Sequence, residues 1–209
     1  MKKIIYCDVP MQSGLKKMNY AANGGKVYNN GAVYAINPCV AEDIKDGDDV
    51  KIVLLKKKDV SGNSDKNIKE FKMEFSSFIA GKDVKTDYVI LETPFEETRE
   101  IHEKLLRDMI GELEEKAEVY ADITYGPKPL PIIMFSVLRF GEKFFKCNVK
   151  RIVYGKVDFV KNNEGVSEAV NPVIYDVTPL YYLDSVTNVI DCKSHEEAVQ
   201  VLDLMLSMR

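Results

Sequence analysis

Residues 121–131 read Ala121-Asp122-Ile123-Thr124-Tyr125-Gly126-Pro127-Lys128-Pro129-Leu130-Pro131. They lie between an apolar strand pattern over 117–123 and an apolar helix pattern over 132–144. A strand that ends in threonine, glycine and lysine and then opens a helix suits a phosphate. Backbone N–H groups at a helix start point outward, and the helix dipole favours an anion there. Gly126 lets the backbone approach closely, and Lys128 supplies a point charge. Prolines at 127, 129 and 131 stiffen the loop and fit a first helical turn, where a missing N–H is tolerated. A simpler reading of Thr124 is a helix N-cap, compatible with ligand contact.

Outward from this stretch, strand and helix patterns alternate. Residues 2–8 are a β-branched and aromatic run, the first strand. The polar, Gly- and Asn-rich stretch 9–31 is long for a connection and is a candidate functional loop. Residues 32–44 suit a helix that Pro38 must start, kink or shorten. A buried strand over 49–55 precedes a charged turn over 56–65, in which Lys56, Lys57 and Lys58 read as solvated. Residues 66–80 place Ile68, Phe71, Phe75, Phe78 and Ile79 on one helix face. A third strand over 88–92 stops at Thr93 and Pro94, and a long helix follows over 95–113. The fourth strand, 118–123, leads into the quoted stretch. A fifth, 150–159, connects through a loop over 161–168, with Asn-Asn-Glu-Gly at its centre, to a returning strand over 173–177. Helical patterns over 180–189 and 196–208 close the chain.

Four strand–helix alternations and a hairpin predict an α/β fold. Its sheet is mostly parallel, with helices on both faces and an antiparallel C-terminal hairpin at the edge. Such sheets bind ligands outside the carboxyl ends of their strands. The loops of interest are therefore 9–31, the turn at Thr93, and 124–131.

The 209 residues carry a formal net charge of −4, which excludes a bulk nucleic-acid binder; any polyanion site has to be local and shaped. No run reaches the roughly 18 apolar residues of a membrane span. Asp8 and Pro10 cut the N-terminal apolar run short of a signal peptide. Cys7, Cys39, Cys147 and Cys192 are scattered, with no C-x-x-C pair; they read as reduced cytosolic thiols rather than zinc ligands. His102 and His195, flanked by glutamates in helical patterns, read as surface residues, so no metal is expected. The chain lacks G-x-G-x-x-G after its first strand, which argues against a dinucleotide-binding domain.

The run Asp-Ile-Thr-Tyr-Gly-Pro-Lys-Pro-Leu-Pro resembles the D-x-T-x-G-x-(R/K)-x-(L/M)-P signature of CRISPR-associated Rossmann-fold (CARF) domains. Other segments agree in order: Lys-Lys-Ile-Ile at the N-terminus, Met18-Asn19-Tyr20, Gly25-Lys26-Val27, residues 149–156, and residues 172–180. The resemblance implies one Rossmann-like domain over 1–209, with the core and hairpin over 1–178 and a helical extension over 179–209. It implies a cytoplasmic homodimer that senses cyclic oligoadenylate in type III CRISPR antiviral signalling, cyclic tetra-adenylate favoured over the hexa-adenylate. The ring would lie across the two-fold axis, and no cofactor is implied.

By matching positions, the resemblance gives Thr124, Gly126 and Lys128 contacts to phosphate or ribose, and Met11, Gln12 and Ser13 the adenine and ribose. Thr93 is a further contact candidate at a strand end. Cys7-Asp8-Val9-Pro10-Met11-Gln12 stands where many relatives carry a short Gly-rich loop. There Asp8 either weakens phosphate binding or serves a ribose hydroxyl. The alternative activity is a slow, metal-independent ring nuclease yielding 2′,3′-cyclic phosphate ends. In it Lys128 would stabilise developing charge, and Ser13 or Thr124 would orient the phosphate. Many relatives carry an effector domain. Neither histidine follows an arginine at the Arg-x4–6-His spacing of HEPN ribonucleases, and 191–209 is too short for another domain. The expectation is a bare sensor, a stand-alone ring-cleaving protein, or the sensor part of a longer protein with a fused or separate effector.

Overall fold

The computed structural model describes residues 1–22, 26–161, 167–187 and 190–207. β1 (Lys2–Val9) has Ile4, Ile5, Tyr6, Cys7 and Val9 buried, so neither of its faces meets water. A strand buried on both faces belongs inside a parallel sheet. Here β1 lies between β3 (Asp49–Lys57) and β5 (Glu118–Asp122), parallel to both. β4 (Lys85–Thr93) runs parallel outside β3, and β6 (Asn148–Lys161) parallel outside β5. β7 (Ser167–Asp176) returns antiparallel along β6. Counting only the long strands in chain order, the sheet reads 3-2-1-4-5-6. The order reverses between β1 and β5, which makes their carboxyl ends the topological switch point.

The crossovers put the helices on both faces. α1 (Ile36–Asp43) and α2 (Asn63–Phe78) cover one face, with Val40, Phe71 and Phe75 packed on Ile5 and Ile52. α3 (Arg99–Gly111) and α4 (Leu130–Phe140) cover the other, with Leu105, Met109 and Met134 packed on Tyr6 and Val53. α5 (Thr178–Thr187) joins this second face. Its Tyr181 is fully buried, and the hydroxyl donates to Glu142 at 2.5 Å. α6 (His195–Ser207) leaves Val199, Leu202 and Leu204 exposed. Among the described residues no helix is long and apolar enough to cross a membrane.

Several boundaries depart from the periodicity for local reasons. The first helix spans Ile36–Asp43, not 32–44, because Pro38 has to sit in a first turn. β3 continues through Lys56 and Lys57, read above as a solvated turn, because β4 runs alongside as far as Thr93. The two ammonium groups find Asp65, Glu92 and Glu97 there. Residues 95–98 precede α3 instead of belonging to it; the Thr98 hydroxyl caps the helix, accepting the Ile101 N–H at 3.4 Å. α4 starts at Leu130 and passes into a π-helical turn, Gly141–Phe145. Inside the long loop, Ala21–Ala22 form β2, which pairs parallel outside β7, so the hairpin strand is second from the edge. The Asn-Asn-Glu-Gly centre of the hairpin loop, Gly25, and positions 188, 189 and 208 of the last helical patterns lie outside the described residues.

Candidate functional site

The switch point sets Asp8 on β1 beside Asp122 at the end of β5. Cys7 is the register partner of Asp122, and successive strand residues face opposite sides. Asp122 therefore turns toward α1, and Asp8 toward α3 and α4. Asp122 is fully buried, and its carboxylate accepts the N–H of Thr124 at 2.7 Å and that of Ile36 at the start of α1. Burial outweighs these bonds and pushes its pKa up to about 6. Asp8 is 6% exposed, and its carboxyl group has no hydrogen-bond or ion-pair partner among the described residues. Burial, and then the charge of Asp122, push its pKa up to about 8, with Lys57 pulling the other way.

The loop after β5 is fixed by close approach. Thr124 Oγ1 accepts the Gly155 N–H at 2.7 Å and so ties the end of β5 to β6. The N-cap considered for Thr124 lies elsewhere, since α4 is capped at Pro129. Gly126 has φ +103°, and a Cβ there would stand 2.6 Å from Leu130 Cδ2 and 3.1 Å from Asp8 Cγ. Glycine is required both by the left-handed backbone and by the Asp8 carboxyl behind it.

The start of α4 does not offer the N–H cradle expected from the sequence. Pro127, Pro129 and Pro131 have no N–H. The Leu130 N–H donates to the Pro127 carbonyl at 2.9 Å, and those of Ile132 and Ile133 to the Pro129 carbonyl at 3.1 and 3.2 Å. The helix start is closed on itself. The N–H groups of Gly126 and Lys128 donate to no described residue, so the loop, not the helix, holds backbone donors for a ligand.

Two clefts open on either side of Tyr125. The first, ≈ 570 Å³, is lined by Asp8, Pro10, Met11, Phe95 and Gly126 among others. The second, ≈ 490 Å³, takes in Ser13, Lys16, Thr124 and Lys156. Gln12 and Tyr125 line both. Tyr125 is held by its hydroxyl, which donates to the Val33 carbonyl at 3.3 Å, and by edge-on contact with Tyr34 at 6.1 Å between centroids. Met11, Gln12, Ser13, Thr124 and Gly126 thus come together from segments far apart in sequence. Thr93 lies apart, in a narrow depression with Asp8, Lys57 and His102. Lys128 is exposed and lines neither cleft.

Lys57, Phe95, Glu97 and Tyr125 also line the first cleft, and sequence reasoning passed over them. Lys57 carried a usable signal, since it directly follows a buried strand and so falls at the carboxyl edge of the sheet. It is 8% exposed, ion-paired to Glu97 at 2.5 Å, and donates to the Pro94 carbonyl at 3.0 Å. His195 is exposed, as expected of a surface residue. His102 is not free on the surface: its Nε2 lies 2.6 Å from Glu97, beside the depression that Asp8 lines.

Removing the Thr124 hydroxyl should be felt in stability. Thr124→Val leaves the Gly155 N–H unpaired and should lower stability by about 1–2 kcal/mol, or about 3–6 °C in Tm. Thr124→Ser, which keeps the acceptor, should melt close to wild type. Calorimetric melts of both variants check this.

No family model and no curated protein matches the chain.

Proposed function

We propose that this protein is a CARF-type sensor that binds cyclic oligoadenylate across the two-fold axis of a homodimer in CRISPR antiviral signalling. The observation that supports this reading best is the pair of clefts meeting at Gln12 and Tyr125 on the switch point, beside the Thr124-Tyr125-Gly126 loop. Each subunit of a dimer has to hold half of a symmetric ring, and two adjoining clefts offer one place for a base and another for its sugar and phosphate. The first cleft is walled by apolar and aromatic side chains suited to a base. The second carries the hydroxyls of Ser13, Thr124 and Ser167 and the ammonium groups of Lys16 and of Lys156, the latter ion-paired to Asp158 at 2.8 Å, which suits sugar and phosphate. This local positive charge is compatible with a net charge of −4.

Dinucleotide binding fits less well, although the strand order permits it. In that mode the pyrophosphate sits at the first helix start. Here the Asp122 carboxylate already accepts the Ile36 N–H at that place. Binding is favoured over ring cleavage because Lys128, the cation cleavage calls for, lines neither cleft.

Calorimetric titration with cyclic tetra-adenylate and hexa-adenylate tests the reading. The expected result is one tetra-adenylate ring per two chains, recovered intact after metal-free incubation. Lys16→Ala should weaken binding about tenfold, because Lys16 lines the second cleft and its ammonium has no carboxylate partner among the described residues. Failure of both rings to bind would overturn the reading. Linear products with 2′,3′-cyclic phosphate ends would replace it with the nuclease.

A further inference from the structure

The Asp8 carboxyl group is a buried polar feature of the first cleft that its own neighbours leave without a partner. It is more than nine-tenths buried, yet no donor or cation among the described residues pairs with it. It lines the cleft, and only the hydrogen of Gly126 stands where a Cβ would approach it at 3.1 Å. Around it the walls are Val9, Pro10, Met11, Phe95 and Pro127, with Tyr125 also lining the cleft. The cation of this cleft, Lys57, is already bound to Glu97 and the Pro94 carbonyl. A phosphate would find no free cation here, since Lys57 and Glu97 pair with each other, whereas a flat heteroaromatic ring would find apolar faces and the unpaired Asp8 carboxyl group.

We infer that Asp8 reads the amino edge of an adenine base seated in this cleft, its carboxyl group donating one hydrogen bond and accepting another. The inference rests on the adenylate reading of the site and assigns its base subsite. A protonated carboxyl group offers an O–H donor and a carbonyl acceptor side by side. Adenine offers the complement: a ring-nitrogen acceptor beside the exocyclic amino donor. An ionised Asp8 is acceptor-only and would face the ring-nitrogen lone pair. The charged and titratable residues that line the cleft and the depression with Asp8 are Lys57 on β3, Glu97 before α3, His102 on α3 and Tyr125; Asp122 on β5 and the Cys7 thiol act on it from the other face of the sheet. The rest of the loop and α4 face it with Gly126, Pro127 and Leu130, none titratable. With burial and Asp122 dominant, Asp8 keeps its proton until about pH 8. Sugar and phosphate then extend past Gln12 into the second cleft, over Ser13 and Thr124.

The test titrates cyclic tetra-adenylate and adenosine 5′-monophosphate into wild type, Asp8→Asn and Asp8→Leu from about pH 6 to about pH 9. Wild-type affinity per Asp8 should fall about fivefold across the pH unit above the Asp8 pKa. Asp8→Asn keeps a donor and an acceptor but does not titrate, so its profile should be flat. Asp8→Leu should bind at least about tenfold more weakly than wild type below about pH 7, with a flat profile that wild type approaches as Asp8 ionises. Purine riboside 5′-monophosphate, which lacks the amino group, should lose about tenfold against adenosine monophosphate in wild type and nothing in Asp8→Leu. Equal affinities for wild type and Asp8→Leu below about pH 7, or a flat wild-type profile, would overturn the role of Asp8 while leaving the ring sensor standing. If the ring fails to bind but the monophosphate shows these differences, the sensor reading falls and Asp8 keeps its role. If neither binds, both fall. Should Asp8→Leu not fold, the Asp8→Asn profile and the purine comparison in wild type decide.

Discussion

Glu74→Ala should lower the melting temperature by about 10 °C. Glu74 lies on α2, is 3% exposed, and holds the turn that precedes α1. Its carboxylate accepts the Val33 N–H at 2.7 Å, the Tyr34 N–H at 3.1 Å and the Asn37 Nδ2 at 2.9 Å. Truncation leaves three buried donors unpaired, and each such donor costs about 1–3 kcal/mol, so a total of at least about 3 kcal/mol is expected. The loss should reach the ligand site. Val33 supplies the carbonyl that holds the Tyr125 hydroxyl, and Tyr34 packs edge-on against the Tyr125 ring. A loosened turn frees the side chain that lines both clefts, so ring affinity should fall with stability. Glu74→Gln keeps one acceptor oxygen and should lose less. Scanning calorimetry checks both variants, and a drop under about 2 °C for Glu74→Ala would mean that the turn is held by packing alone.

Asp8→Asn should do the opposite and stabilise the protein, increasingly so as the pH rises. The pKa of Asp8 is about 8 in the folded protein against an ordinary 3.8, because burial and Asp122 disfavour the charge. The native state therefore holds a proton that the unfolded chain releases. Stability carried by that proton is complete below the unfolded value, falls through the neutral range, and is gone above the folded value. Asparagine does not titrate and removes this slope. The gap between variant and wild type should widen by about 2–3 kcal/mol from about pH 5 to about pH 8, or about 5–10 °C in Tm. Asp122, pushed up to about 6, adds a smaller slope of the same sign at lower pH, which Asp8→Asn should retain. Parallel melting curves at all pH values would show that Asp8 is ionised in the folded protein, and would remove the neutral donor on which base recognition depends.

Most of the sheet was legible in the chain. Apolar runs such as 49–55 and 118–123 mark buried parallel strands, and the helices between them repeat at helical spacing, as Ile68, Phe71 and Phe75 do. Gly126 was legible too, since a glycine between a strand end and a proline-rich helix start announces a tight turn. Less legible was anything that depended on a partner distant in sequence. Lys57 looked like part of a solvated lysine run until β4 extended beside it and Glu97 paired with it. The prolines at 127, 129 and 131 looked suited to an anion-binding helix start, yet they leave that start without free N–H groups.

The sequence by itself determined the alternation of strands and helices, and from it a mostly parallel sheet with its ligand edge at the carboxyl ends of the strands. Hydrophobic period and turn chemistry are local, so they survive in one dimension. Only the tertiary structure decided that β1 and β5 meet with Asp8 and Asp122 on opposite faces, that Tyr125 lines two adjoining clefts, and that burial pushes the Asp8 pKa up to about 8. Ionisation depends on burial and on charges brought from other strands, and neither exists until the chain has folded.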